Sequence, residues 1–134
     1  MATVKIIPAL PTDTEAFALG DNEKKLLLEK MKASARVWVG LVDSEITCMF
    51  GIYASTTLNN EAYLWLLTNE IVDEHKFLFV RYSRKFIKEL LKEFSTIKGH
   101  ALISNIRAIN WLLWLDFECI PIDDIVCSIS LRRS

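Results

Sequence analysis

The side chains of this 134-residue chain that could do chemistry are few and scattered. Cys48, Cys119 and Cys127 each lie in an apolar, strand-like run, Ile46-Thr47-Cys48-Met49-Phe50 being one. Their spacing matches neither a zinc site nor a Cys-x-x-Cys redox pair, so buried thiols are expected. His75 and His100 have no companion ligands within sequence reach, and no metal site is expected. Glu61 opens the run Glu61-Ala62-Tyr63-Leu64-Trp65-Leu66-Leu67-Thr68 and reads as an edge charge. Arg81, Lys85, Lys88 and Lys92 fall one helical turn apart and form a basic stripe, widened by Arg84 and interrupted by Glu89 and Glu93. Such spacing predicts Lys85–Glu89 and Glu89–Lys92 pairs worth a few tenths of a kcal/mol each. The alternatives for the stripe are a solvated helix face and an electrostatic patch for a protein or nucleic acid.

A second surface is aromatic. Trp111 and Trp114 share one side of a short helix, and Leu112, Leu113 and Leu115 leave that helix apolar almost all round. It therefore predicts either a second covered face or an exposed interface for a protein partner or a second copy. Trp38 is a candidate for the same or another interface, and Asn105 is a preferred residue for the helix start.

Composition frames these features. Hydrophobic residues make up 51% and charged ones 25%, the balance of an ordinary globular chain, and the formal net charge of −1 gives no global attraction to nucleic acid. One domain spanning 1–134 is the simplest organisation. No apolar run is long enough for a membrane-spanning helix, and the first residues lack a signal-peptide pattern.

The elements that must position these residues follow from periodicity. Strands are expected over 3–7, 36–42, 46–54, 61–68, 101–104, 117–122 and 125–131. A short helix is expected from Thr12 to Leu19, broken by Gly20-Asp21-Asn22, then a helix over 23–32. A long helix over 75–94 carries the apolar stripe Phe79, Tyr82, Phe86, Ile87, Leu90, Leu91 and Phe94, with Gly99 and His100 as a break after it. The order is β-α-α-β-β-β-α-β-α-β-β, an α/β mixed sheet with helices on both faces. The crossover through the long helix makes the strands near 62–67 and 100–104 parallel neighbours.

That order, with Asn105-Ile106-Arg107-Ala108-Ile109-Asn110-Trp111-Leu112-Leu113-Trp114-Leu115-Asp116-Phe117, resembles the GNAT acetyltransferase fold. In that family an Asn opens the last helix, Ala-Ile packs it, a Tyr supplies a proton and Gly-Phe ends it. Here Asn105, Ala108, Ile109, Leu115 and Phe117 fit, Leu112 stands at the Tyr position and Asp116 at the Gly. The resemblance implies that the central parallel strands splay around the cofactor's pantetheine arm. It also implies a glycine-rich phosphate loop, yet 69–84 holds no glycine, and Glu70, Asp73 and Glu74 are expected to repel a phosphate. Trp65-Leu66-Leu67-Thr68 and the glycine-free link into Arg81-Tyr82-Ser83-Arg84-Lys85-Phe86-Ile87 are similar to the small internal virion proteins of short-tailed phages.

The resemblance thus implies a non-catalytic phage protein, acting by contact in virion assembly or genome delivery, in the virion or the host cytoplasm, with no cofactor. The alternative it implies is an acetyl-CoA-dependent N-acetyltransferase, in which Leu67, Ser83, Arg84 and Asn105 would hold the cofactor. A host-takeover factor using the basic helix is a third reading.

Overall fold

The computed structural model describes residues 3–53 and 60–133. Its elements are β1 (Val4–Pro8), a 3-10 turn (Pro11–Ala16), α1 (Asp21–Ala33), β2 (Arg36–Val42), β3 (Glu45–Tyr53), β4 (Glu61–Thr68), α2 (Ile71–Glu74), α3 (Lys76–Glu93), β5 (Thr96–Leu102), α4 (Ile106–Trp114), β6 (Glu118–Pro121) and β7 (Val126–Arg132). The strands form one sheet in the order β1-β2-β3-β4-β5-β7-β6. Neighbours run antiparallel except β4 and β5, which are parallel as the crossover through α3 requires.

Three expectations shift. Asp21 and Asn22 lie inside α1 rather than breaking it, because Gly20 is the N-cap and the carboxylates of Asp21 and Glu23 suit the first turn's positive end. Gly99 and His100 lie inside β5, which starts at Thr96. A separate turn of helix, α2, precedes α3, with His75 as the joint. Ala54, expected to end β3, lies outside the described residues.

The β2–β3 hairpin turns at Asp43 and Ser44, both at positive φ (49° and 72°), the type I′ geometry that matches the twist of the strands. Asp43 is held from outside the hairpin: it accepts from the Thr3 amide at 2.8 Å on Oδ1 and donates its own amide to the Thr3 carbonyl at 2.9 Å.

Helices cover both faces. On one, α1 and the 3-10 turn bury Phe17, Leu27, Val39, Met49 and Trp65, and the Trp65 indole donates to Ser34 Oγ at 2.8 Å. On the other, α3 and α4 bury Ile52, Leu64, Phe79, Ile87, Leu90, Ile97, Leu112 and Phe117. Trp38, partly buried, packs against this second layer, stacked on Phe50 with ring centres 5.5 Å apart and edge-on to Phe86 at 4.9 Å. Burial pushes the Cys48 thiol up to about 12 and also raises Cys119, which lies beside Cys127. These two thiols stay protonated at neutral pH. Among the described residues no helix is long and apolar enough to cross a membrane.

The C-terminus of α4 is closed by a Schellman motif. The Phe117 amide donates to the Leu112 carbonyl and the Asp116 amide to the Leu113 carbonyl, both at 3.0 Å, with Asp116 at φ 71°. This conformation normally takes glycine, and Asp116 adopts it at a steric cost. Asp116→Gly is expected to stabilise the fold by about 0.5–1 kcal/mol, read as a higher urea midpoint with unchanged slope.

Candidate functional site

The sheet is split in its middle. β4 and β5 pair only from Glu61–Thr96 to Leu64–Gly99. Beyond that point Trp65–Thr68 pair with β3 alone, and His100–Leu102 with β7 alone. The last pair is tight: a Cβ on Gly99 would lie 2.5 Å from the Leu64 carbonyl oxygen. At the closed end, Lys98 Nζ and Glu61 Oε1 meet at 3.1 Å, so Glu61 is a cross-strand ion partner at the far end of β4. Main-chain groups that face the split lack the ladder partners an interior strand normally has.

Two grooves open at the end of β4. The first, of about 210 Å³, is lined by Thr68, Val72, Asp73, Lys76, Arg107, Asn110, Trp111 and Trp114. Arg107, from α4, reaches across its mouth to Asp73 of α2, with Nε 3.1 and 3.0 Å from the two carboxylate oxygens and Nη2 at 2.9 Å. Lys76 Nζ lies 5.7 Å from the Trp114 ring centre. Trp111 is 8% exposed, and its indole Nε1–H is buried with no hydrogen-bond partner among the described residues. An orphaned buried donor costs about 1–3 kcal/mol, which an acceptor on a ligand would recover.

Past Trp114 this groove continues into a shallower one of about 520 Å³, walled by Phe77, Val80, Arg81, Arg84, Lys85, Lys88 and Trp114. Among the described residues the two together present Lys76, Arg107, Arg81, Arg84, Lys85 and Lys88 against a single carboxylate, Asp73. A chain with net charge −1 thus carries one strongly cationic trough.

The second groove, of about 370 Å³, lies on the other side of the β4 end. Ala16, Phe17, Ala18, Leu19, Leu67, Thr68, Asn69, Glu70, Ile71 and Arg107 line it. Thr68 and Arg107 belong to both grooves.

The structure sorts the residues singled out from sequence. Arg81, Arg84, Lys85 and Lys88 share the cationic trough, whereas Lys92 is one turn beyond it, paired with Glu89 at 3.0 Å. No Lys85–Glu89 pair forms; Lys85 instead lies 5.4 Å from the Tyr82 ring centre. Arg84 donates through Nε and Nη2 to the Trp114 carbonyl, at 3.2 and 2.6 Å, binding the C-terminus of α4 to α3. Asn105 accepts from the Ala108 amide at 3.3 Å and is the N-cap of α4. Leu67 faces the second groove, and Ser83 is buried against the sheet rather than turned toward the trough. Trp111 packs edge-on to Phe79 at 6.4 Å in the chain's own core, with one edge at the first groove; Trp114 is 39% exposed at the trough. Leu112, 2% exposed, lines a small apolar cavity of about 20 Å³ with Phe50, Leu64 and Ile87, and Tyr53, Tyr63 and Tyr82 line neither groove.

The acidic link does not exclude an anion as its composition suggests. Of Glu70, Asp73 and Glu74 only Asp73 lines the first groove, and Arg107 neutralises it; Glu70 faces the second. Lys76, Arg107 and the Asp73–Arg107 pairing carried no sequence signal, since Asp73 and Arg107 are 34 positions apart.

No family model matches the chain, and no curated protein matches it in sequence. Solved structures do match. The ribosomal-protein-S18-alanine N-acetyltransferase of Escherichia coli superposes at TM-score 0.68 and 17% identity, over 98% of this chain and 95% of that one. Aminoglycoside acetyltransferase AAC(6')-Ib, solved with coenzyme A, gives 0.69 at 13%, over 98% and 95%. The N-acetyltransferase PseH of Campylobacter jejuni gives 0.64 at 14%, over 98% and 99%. The expectation of a non-catalytic virion protein is overturned: the structures that match along nearly the whole chain are acetyltransferases, and the phage resemblance gains no support.

Proposed function

We propose that this chain, which has the GNAT acetyltransferase fold, binds acetyl-CoA in the split sheet and the cationic trough and transfers its acetyl group to an amine. The observation that carries this reading is the junction. The sheet parts after Leu64–Gly99, and two grooves meet there with Thr68 and Arg107 in common. A donor and an acceptor bound in separate grooves can react only where their grooves join.

The residues fit such a donor. Strand edges left unpaired by the split suit the amides of an extended arm. The buried Trp111 Nε1–H offers a further donor. α3 begins at Lys76 with no side-chain cap from His75, so its first-turn amides, with Lys76 and Arg107 beside them, suit a diphosphate without a glycine loop. Arg81, Arg84, Lys85 and Lys88 suit the remaining phosphate of the nucleotide. Acetyl-CoA would supply the acyl group as an activated thioester.

Leu112 has no proton to give a departing thiolate. A thiol's ordinary pKa near 8.5 makes the thiolate a tolerable leaving group, and Arg107 lies at the junction. Loss of a positioned acid then slows turnover by ~10²–10⁴-fold rather than abolishing it. The test is thiol release from acetyl-CoA in the presence of a panel of primary amines, with product mass measured. Slow, amine-dependent release with an acetylated product is expected. Release that does not depend on any amine would refute the reading.

A further inference from the structure

Resting on the acetyl-transfer reading, we infer that the acceptor is a singly charged primary amine next to a small apolar group, and that Glu70 binds its ammonium and takes its proton. The second groove is about 370 Å³, with apolar walls from Phe17, Leu19, Leu67 and Ile71. Its polar groups are mostly committed. Asn69 donates through Nδ2 to the Ile46 carbonyl at 2.8 Å and accepts the Ile71 amide on Oδ1 at 3.1 Å, and Arg107 is held by Asp73. Among the described residues, what remains for a ligand is the Thr68 hydroxyl at the junction and the exposed carboxylate of Glu70.

Charge selects the ligand class. Among the described residues Glu70 is the only carboxylate in the lining, and it favours one ammonium. A polyamine would bring further positive charges to a groove that already holds the Arg107 guanidinium and has no second acid to receive them. The apolar walls gain only from a carbon-rich neighbour of the amine.

Glu70 accepts one proton from the ammonium and passes it to water. The freed nitrogen lone pair forms a C–N bond to the thioester carbonyl carbon, the C–S bond breaks, and the second amine proton ends on the departing sulfur.

The experiment compares alanyl-leucinamide with spermidine as acceptors, in the wild type and in Glu70→Gln and Glu70→Asp. The dipeptide amide is expected to exceed spermidine in kcat/KM by at least ~10-fold. Glu70→Gln should lower kcat/KM for the dipeptide by ~10²-fold, with Glu70→Asp recovering part of it. NMR titration of the dipeptide into CoA-saturated protein should show Glu70→Gln weakening its binding by ~10-fold, a readout independent of turnover. Acetyl-CoA affinity should stay within about twofold. A preference for spermidine, or a Glu70→Gln variant unchanged in rate and amine binding, overturns this assignment while acetyl-CoA binding by the wild type leaves the parent reading standing. Failure of the wild type to bind acetyl-CoA removes both.

Discussion

Replacing Arg107 with Ala is expected to weaken acetyl-CoA binding by roughly 10- to 100-fold, the effect of losing a charged hydrogen bond worth about 1.5–3 kcal/mol. Arg107 lines both grooves and neutralises Asp73, the carboxylate of the donor groove, so its removal both deletes a cation and exposes Asp73 to the phosphates. Asp73→Asn should act the opposite way, tightening binding several-fold, because Arg107 is then free for the ligand. The pair itself is half-exposed, at 39% and 55%, so it contributes only about 0–1 kcal/mol to folding and neither variant should shift the unfolding midpoint much. Calorimetric titration at two salt concentrations checks both. Affinity should fall with salt in the wild type and less steeply without Arg107. Equal affinities for wild type and Arg107→Ala would mean the trough's mouth does not meet the phosphates.

The second large effect concerns the split. Gly99→Ala is expected to destabilise the fold by about 2–4 kcal/mol and to weaken acetyl-CoA binding as well. The added Cβ would come within 2.5 Å of the Leu64 carbonyl, which is backbone and cannot swing away, and within 3.3 Å of the Ile129 side chain. Relief requires β4 and β5 to separate at their last pair, which moves the point where the gap begins. Urea unfolding measures the first effect and titration the second. A variant as stable as wild type would show that the two strands have slack there.

Much of the scaffold was legible because local rules governed it. β4 is an unbroken apolar run covered on both faces, and Asn105, Ala108, Ile109 and Phe117 set out α4 from cap to exit. The stripe on α3 was legible as charge but not as a site, since its meaning depends on Trp114 and Phe77 forming the walls beside it. Residue type also misled. Glu70, Asp73 and Glu74 read together as one repulsive block, yet the turn into α2 sends Glu70 to one groove and Asp73 to another, where Arg107 awaits it. Gly99 read as a break because glycine usually interrupts strands; here the closeness of a neighbouring carbonyl demands it. Trp111 read as surface because α4 is apolar nearly all round, but Phe79 covers it.

Titration of the wild-type protein with acetyl-CoA tests the central claim most directly. Saturable one-to-one binding with a micromolar dissociation constant, weakened roughly 10- to 100-fold in Arg107→Ala, is the expected outcome. No detectable binding at millimolar acetyl-CoA in low salt would contradict it.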